Sequence, residues 1–271
     1  MIIDRIKNLF SKKNRVLLSE LVRTDFKLRY QASVLGYAWS LLRPLFLFLI
    51  LYVVFVYFFR VGGDIPNFPI YLLLGIVLWN FFAEMTMQSL GSIVGRGDLI
   101  RKIKIPRWII VLSSSLSALI NLFINLLVVG IFMLFSDVEI SFSAILLIPT
   151  IIQIYIFALG ISLFLSAAYV KYRDVSYIWE VLMQGGFYVT PILYSFTFIG
   201  DHILVKKLIF MNPMAQMIQD ARYELVTQST VTIHSLQAGW ITIVPYALTL
   251  LILVTGVAYF RRESKYFAEN I

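Results

Sequence analysis

Six apolar windows, near residues 41–60, 69–90, 109–135, 144–169, 179–199 and 240–260, constrain this 271-residue chain more than any other feature. Each is close to the roughly 20 residues that a helix needs to cross a bilayer. In hydrocarbon the backbone must satisfy its own hydrogen bonds, so such windows fold as helices. The expectation is an all-α polytopic membrane protein with six transmembrane helices. A mean hydropathy of +0.85, with 60% hydrophobic and 14% charged residues, agrees with that class. The fifth window is the weakest, because Gly185, Gly186 and Pro191 interrupt it and Glu180 sits near its start.

Orientation follows from the 23 Lys and Arg. Eighteen fall before the first window, in the loop after the second (Arg96, Arg101, Lys102, Lys104, Arg107), after the fourth (Lys171, Arg173) and after the sixth (Arg261, Arg262, Lys265). The opposite loops hold four, Arg60, Lys206, Lys207 and Arg222, and Arg43 stands at the mouth of the first window. The positive-inside rule therefore places both termini in the cytoplasm. The net charge of +8 is a topology signal, and no nucleic acid partner is expected. The first 40 residues lack the apolar core and cleavage site of a signal peptide, so the first span is expected to act as the insertion signal. The absence of cysteine excludes disulfides, thiolate metal sites and a cysteine nucleophile. One transmembrane domain is expected over 1–271, with a cytoplasmic amphipathic region at 1–40, the bundle at 41–260 and a cytoplasmic tail at 261–271.

Three segments outside the spans have patterns of their own. Ile2, Ile3, Ile6, Leu9 and Phe10 fit one helical stripe. Leu18, Leu21, Val22 and Phe26 fit a second, opposite Glu20, Arg23, Thr24 and Lys27, as in a helix lying along the inner leaflet. In "GRGDLIRKIKIPRW" (95–108), Asp98 is expected to cap a short helix that Pro106 stops. Leu99, Ile100 and Ile103 share one face of it, rimmed by Arg101 and Lys102, and would suit a groove on another protein as well as a membrane surface. On the external side, an apolar run 203–211 precedes Asn212-Pro213 and a helix expected over 214–226. About ten apolar residues are too few to span, so this hairpin reads as re-entrant, or as a cap on the bundle.

Catalysis by this chain is not expected. There is no G-x-x-x-x-G-K-[ST], no nucleophile elbow, and no metal-ligand spacing around His202 or His234. Ser113-Ser114-Ser115 reads as close helix packing. The ionisable residues at membrane depth, Arg43, Glu84 and Glu180, are the functional candidates, with Glu84 expected either to pair with Arg43 or to meet a substrate. Tyr30, Tyr37, Trp39, Trp79, Phe81, Phe82, Tyr188 and Tyr194 gather at span ends and around the broken window. They suit interfacial belts or a passage for sugars.

The segments "KLRYQASVLGYAWSLLRPL" (27–45), "LLLGIVLWNFF" (72–82), "LIRKIKIPRW" (99–108), "YRDVSYIWEVLMQGGFYVTPILY" (172–194) and "NPM" (212–214) together resemble the membrane subunits of ABC transporters that export lipid-linked polysaccharides and polyol phosphates, the O-antigen, capsule and wall teichoic acid exporters. The resemblance implies a homodimer in the bacterial plasma membrane, working with two separate ATPase subunits that bind ATP and Mg. It makes Asp98, Leu99, Ile100, Arg101, Lys102 and Ile103 an ATPase coupling helix, residues near 16–30 an interface helix, and the hairpin near 201–226 a pair of gate helices. Lys27, Arg29 and Arg43 would attract the diphosphate of an undecaprenyl-linked glycan, while Tyr30, Tyr37 and Trp39 would meet its sugars. Phe81, Phe82, Glu84, Tyr188, Pro191 and Tyr194 would line a tunnel or gate. The alternatives are an ABC exporter of small lipids or drugs, a secondary transporter dependent on Glu84, and a membrane glycosyltransferase.

Overall fold

The computed structural model describes residues 12–29, 35–58, 65–102, 105–136, 138, 141–200, 202–236 and 239–270. Tyr30, Ile103 and the stripe from Ile2 to Phe10 lie outside the described residues. The helices are α1 (Lys12–Arg29), α2 (Trp39–Tyr52, continuing as a π-type turn Val53–Phe58), α3 (Phe68–Ser92), α4 (Gly97–Lys102), α5 (Trp108–Leu134), α6 (Leu147–Lys171), α7 (Val175–Val189), α8 (Ile203–Phe210), α9 (Pro213–Leu225), α10 (Val244–Glu263) and α11 (Phe267–Asn270). No strand occurs among the described residues.

Among the described residues, five stretches are long and apolar enough to cross a membrane: Trp39–Phe58, Phe68–Ser92, Trp108–Leu134, Phe142–Lys171 and Gly239–Tyr266. The fifth expected window departs from its reading. There α7 has 15 residues, about 22 Å at 1.5 Å per residue against a hydrocarbon core of about 30 Å. It stops at Thr190, whose backbone is extended, because Pro191 disfavours the helical conformation in the residue before it.

Helix α3 is the hub. Its residues from Ile70 to Trp79 are all buried, as expected of a helix that is apolar on every side. It packs on α2, α5, α6, α7 and α9. Against α6 runs α10, and the two cross in backbone contact: a Cβ added to Gly256 would lie 2.1 Å from the Gly160 carbonyl oxygen.

At the α4 end of the bundle, Ile93, Ile110, Val111, Ala167, Val170, Phe260 and Phe267 form a second cluster. Phe267 is 1% exposed, its ring centroid 5.5 Å from that of Phe260. The stretch expected as a tail therefore folds back onto the bundle. On α1, Leu18, Leu21 and Val22 are half-buried while Glu20, Arg23, Thr24 and Lys27 are exposed, and the helix packs on α5. An Asp25–Arg96 ion pair ties it there. Ser113 Oγ lies 3.2 Å from Asp25 Oδ2 and accepts from Arg96 Nη1 at 3.3 Å. The serine triplet thus does more than permit close packing. Ser113 anchors α1, and Ser115 Oγ pairs with the Tyr155 hydroxyl at 2.9 Å.

Candidate functional site

Two stripes of polar side chains, four amides and a glutamate, cross the apolar bundle. On α3, Asn80, Glu84 and Gln88 follow one another at intervals of four, and on α5 so do Asn121 and Asn125, which puts each set on one helix face. The stripes and the start of α2 enclose a cavity of about 530 Å³, to which α2 contributes Trp39, Ser40 and Arg43, and α3 also Phe81.

Inside it, Glu84 Oε1 accepts from Asn121 Nδ2 at 2.8 Å and from Gln88 Nε2 at 2.9 Å. Asn125 Nδ2 donates to the Asn121 carbonyl at 2.8 Å. Two side-chain amides from two helices converge on one carboxyl oxygen, so Glu84 is held in a fixed position. Arg43 is exposed and lines the same cleft, as does Trp39 at 44% exposure. A guanidinium, a carboxylate, several amides that both donate and accept, and two aromatic faces together suit a hydroxyl-rich, anionic solute.

The expected loading set is divided. Lys27 lines a separate groove of about 920 Å³ between α1 and α5, with Arg15, Arg23, Leu119 and Phe123. Arg29 is the last residue of α1, and Tyr37 lies in the 3₁₀ turn Gly36–Ala38. Of the expected tunnel residues, Phe81 and Glu84 are in the cleft. Phe82 is in the core, stacked on Phe157 at 5.5 Å and edge-on to Trp179 at 6.3 Å. On α7, Tyr188 is exposed. The Tyr194 hydroxyl donates to the Val189 carbonyl at 3.0 Å, and Pro191 is buried.

In α4, Asp98 sits in the first turn rather than at the cap, because the chain is already turning in 3₁₀ geometry from Val94 and Gly97 opens the helix. Arg101 and Lys102 are exposed and Leu99 is half-buried. Ile100 differs from the outward knob expected: it packs on the chain's own cluster beside Ile93 and Phe267.

Arg222 falls among the external-loop charges by its place in the sequence, and the structure gives it another role. The structure buries it fully, at 0% exposure. Its guanidinium donates to the carbonyls of Tyr71 (2.9 Å), Pro191 (2.6 Å) and Ile192 (2.7 Å) and lies 3.6 Å from the Tyr71 ring centroid. Helical spacing carried the missed signal: Pro213, Met214, Met217, Ile218, Ala221, Arg222 and Leu225 share one stripe, which puts Arg222 on the apolar side of α9.

The other face of α9 borders a pocket of about 550 Å³ lined by Thr150, Gln153, Asp220, Glu224, His234 and Tyr246. Burial raises the Glu224 carboxyl to about 7, against the Thr150 hydroxyl 3.0 Å away, which lowers it. Burial also raises Asp220, opposed by the hydrogen bond from Gln216. No group of metal-ligating side chains occurs among the described residues.

Residues 16–225 match the protein family described as ABC-2 type transporter. Two O-antigen export system permease proteins RfbA of Klebsiella pneumoniae are each 31% identical over 254 residues, covering 93% of this chain and 94% of the relative. A protein of that name from Myxococcus xanthus is 27% identical over 261 residues, 95% of this chain and 96% of the relative.

Proposed function

Since this chain belongs to the ABC-2 type transporter family, we propose that it is the membrane permease of an ATP-driven exporter of lipid-linked polysaccharide, and that the cleft between α2, α3 and α5 receives the saccharide end of the cargo. The cleft carries this reading: amides, an arginine, a glutamate and aromatic rings at membrane depth are costly unless they meet a polar solute. Arg43 would hold a phosphate of the lipid diphosphate, and Trp39 and Phe81 would stack on sugar rings. The export function named for the similar proteins supports the substrate class. An undecaprenyl diphosphate carrier suits a bacterial plasma membrane, and a teichoic-acid-like polyol phosphate meets the same chemistry.

The assembly proposed is a homodimer with two ATPase subunits, which bind ATP and Mg. The short helix α4, with exposed Arg101 and Lys102, would dock on them, and α1 would lie along the inner leaflet. Both termini would be cytoplasmic. In the dimer α7 and the broken segment after it would complete a sixth crossing, with α8 and α9 as a re-entrant outer gate. Support for the dimer comes from α7 itself: no residue of it is buried, and Glu180 and Gln184 are exposed beside Tyr177, Val181 and Tyr188. Polar groups on such a face suit a second copy or a wet passage better than lipid.

The test is export and glycan-stimulated ATP hydrolysis by the chain co-purified with the ATPase encoded beside it. Arg43→Glu and Asn121→Leu are expected to assemble normally and to lose glycan stimulation by about tenfold or more, roughly the effect of one charged hydrogen bond. A complex that assembles but never responds to glycan points to a small-lipid or drug exporter. Wild-type export with both variants unimpaired removes the cleft from the mechanism.

A further inference from the structure

Helix α9 grips the break after α7 from both of its own ends. At its start, Asn212 accepts from the Met214 amide at 3.0 Å and donates through Nδ2 to Thr190 Oγ1 at 3.1 Å. Near its end, Arg222 takes the next two carbonyls, those of Pro191 and Ile192, and reaches across to the Tyr71 carbonyl on α3. The three residues where the helical ladder stops are thus held by side chains of one neighbouring helix. Tyr71 adds its hydroxyl, which donates to Gln219 Oε1 on α9 at 3.1 Å. The hub leaves room for the guanidinium, since a Cβ at Gly75 would lie 2.3 Å from Arg222 Nη2.

The partners of Arg222 are carbonyl dipoles and a ring face rather than a carboxylate. Burying a guanidinium this way is expensive, and an apolar residue of similar size would fill the space more cheaply. Its use here is geometric: the rigid fork fixes three backbone oxygens from two separate elements at once.

We propose that Arg222 is a positioning residue for export, a latch that joins the Thr190–Ile192 break to α9 so that the outer end of α7 and the outer helix shift as one body when the passage opens. This rests on the exporter reading above.

The absence of cysteine allows a direct test. Thr190→Cys with Asn212→Cys replaces the Asn212–Thr190 contact by two thiols, so glycan export by the complex with its ATPase is expected to fall below wild type until a short bifunctional thiol reagent bridges them. One moving body tolerates the bridge, so bridged export returns to within about twofold of wild type. In the same background, Arg222→Lys, which keeps the charge but not the fork, is expected to lower export per assembled complex about tenfold while ATP hydrolysis persists, and the bridge restores it. Gly75→Ala, which displaces the guanidinium with every residue of α9 left as it is, is expected to uncouple in the same way. Export abolished by the bridge overturns the latch, because the break and α9 then separate during transport. So does an Arg222→Lys loss that matches lost assembly, with export per complex unchanged. A wild-type complex that exports no glycan overturns the exporter reading and the latch with it, and is told apart by the unmodified control.

Discussion

At the scale of single residues, the charges with fixed partners matter most. Glu224 has a pKa raised to about 7 by burial against an ordinary 4.5, so the folded state holds a proton that the unfolded chain gives up. Its contribution to stability is complete below about pH 4.5 and is lost as pH rises through 7. Thermal melting in detergent is expected to show a lower midpoint at pH 8 than at pH 5.5, and Glu224→Gln, a mimic of the protonated carboxyl, to reduce that difference. An unchanged pH dependence in the variant would assign the effect elsewhere. Asp25 anchors α1 to Arg96 and Ser113. Asp25→Ala is expected to cost about 2 kcal/mol, the scale of hydrogen bonds to a charged group, read as a lower melting midpoint and faster proteolysis within Lys12–Arg29. Of the cleft residues the sequence displays Arg43 and Glu84, because charges inside apolar windows are conspicuous. The amides at 80, 88, 121 and 125 are legible as four-residue intervals but are neutral, so they do not stand out from an apolar window as a charge does. Arg222 looked like an ordinary loop charge because nothing local to it tells where Pro191 and Tyr71 will be.

Among elements, the helices follow from apolar length, and the departures from that rule follow from proline, glycine and packing. Pro191 ends α7 and the Asn212-Pro213 pair starts α9, and both signals were legible. The crossing of α6 and α10 was not, since it depends on Gly160 and Gly256 meeting although they lie 96 positions apart in the chain. Gly256→Leu is expected to push the helices apart and to cost at least the roughly 1–3 kcal/mol of an overpacked core. Loss of expression or a clearly lower melting midpoint, with Gly130→Leu at an uncrowded glycine as the control, checks it. In α4 the inward side chain is Ile100, so a charge there would damage the bundle as well as any docking. Arg101→Glu with Lys102→Glu tests docking more cleanly. It is expected to weaken ATPase co-purification severalfold without changing the melting of the isolated chain.

For the whole molecule, the unburied face of α7 is the feature on which the proposed dimer rests. Tyr188→Cys, in a chain otherwise without cysteine, is expected to cross-link as a dimer in membranes on mild oxidation, whereas Leu127→Cys on the exposed face of α5 is not. Cross-linking of both at equal rates would indicate random collision rather than an interface. By itself the sequence determined the membrane class, the helical content, the five stretches among the described residues that are long and apolar enough to cross a membrane, and the places where backbone breaks, because apolar length, proline and glycine act over a few residues of chain. Only the tertiary structure decided that Ile100 turns inward, that Lys27 and Arg43 occupy different cavities, and that Arg222 leaves the loop charges to hold the end of α7. Each of those depends on which distant segment supplies the partner: the α4 cluster on Phe260 and Phe267, the cleft on α5, and the Arg222 site on carbonyls 30 and 151 positions away.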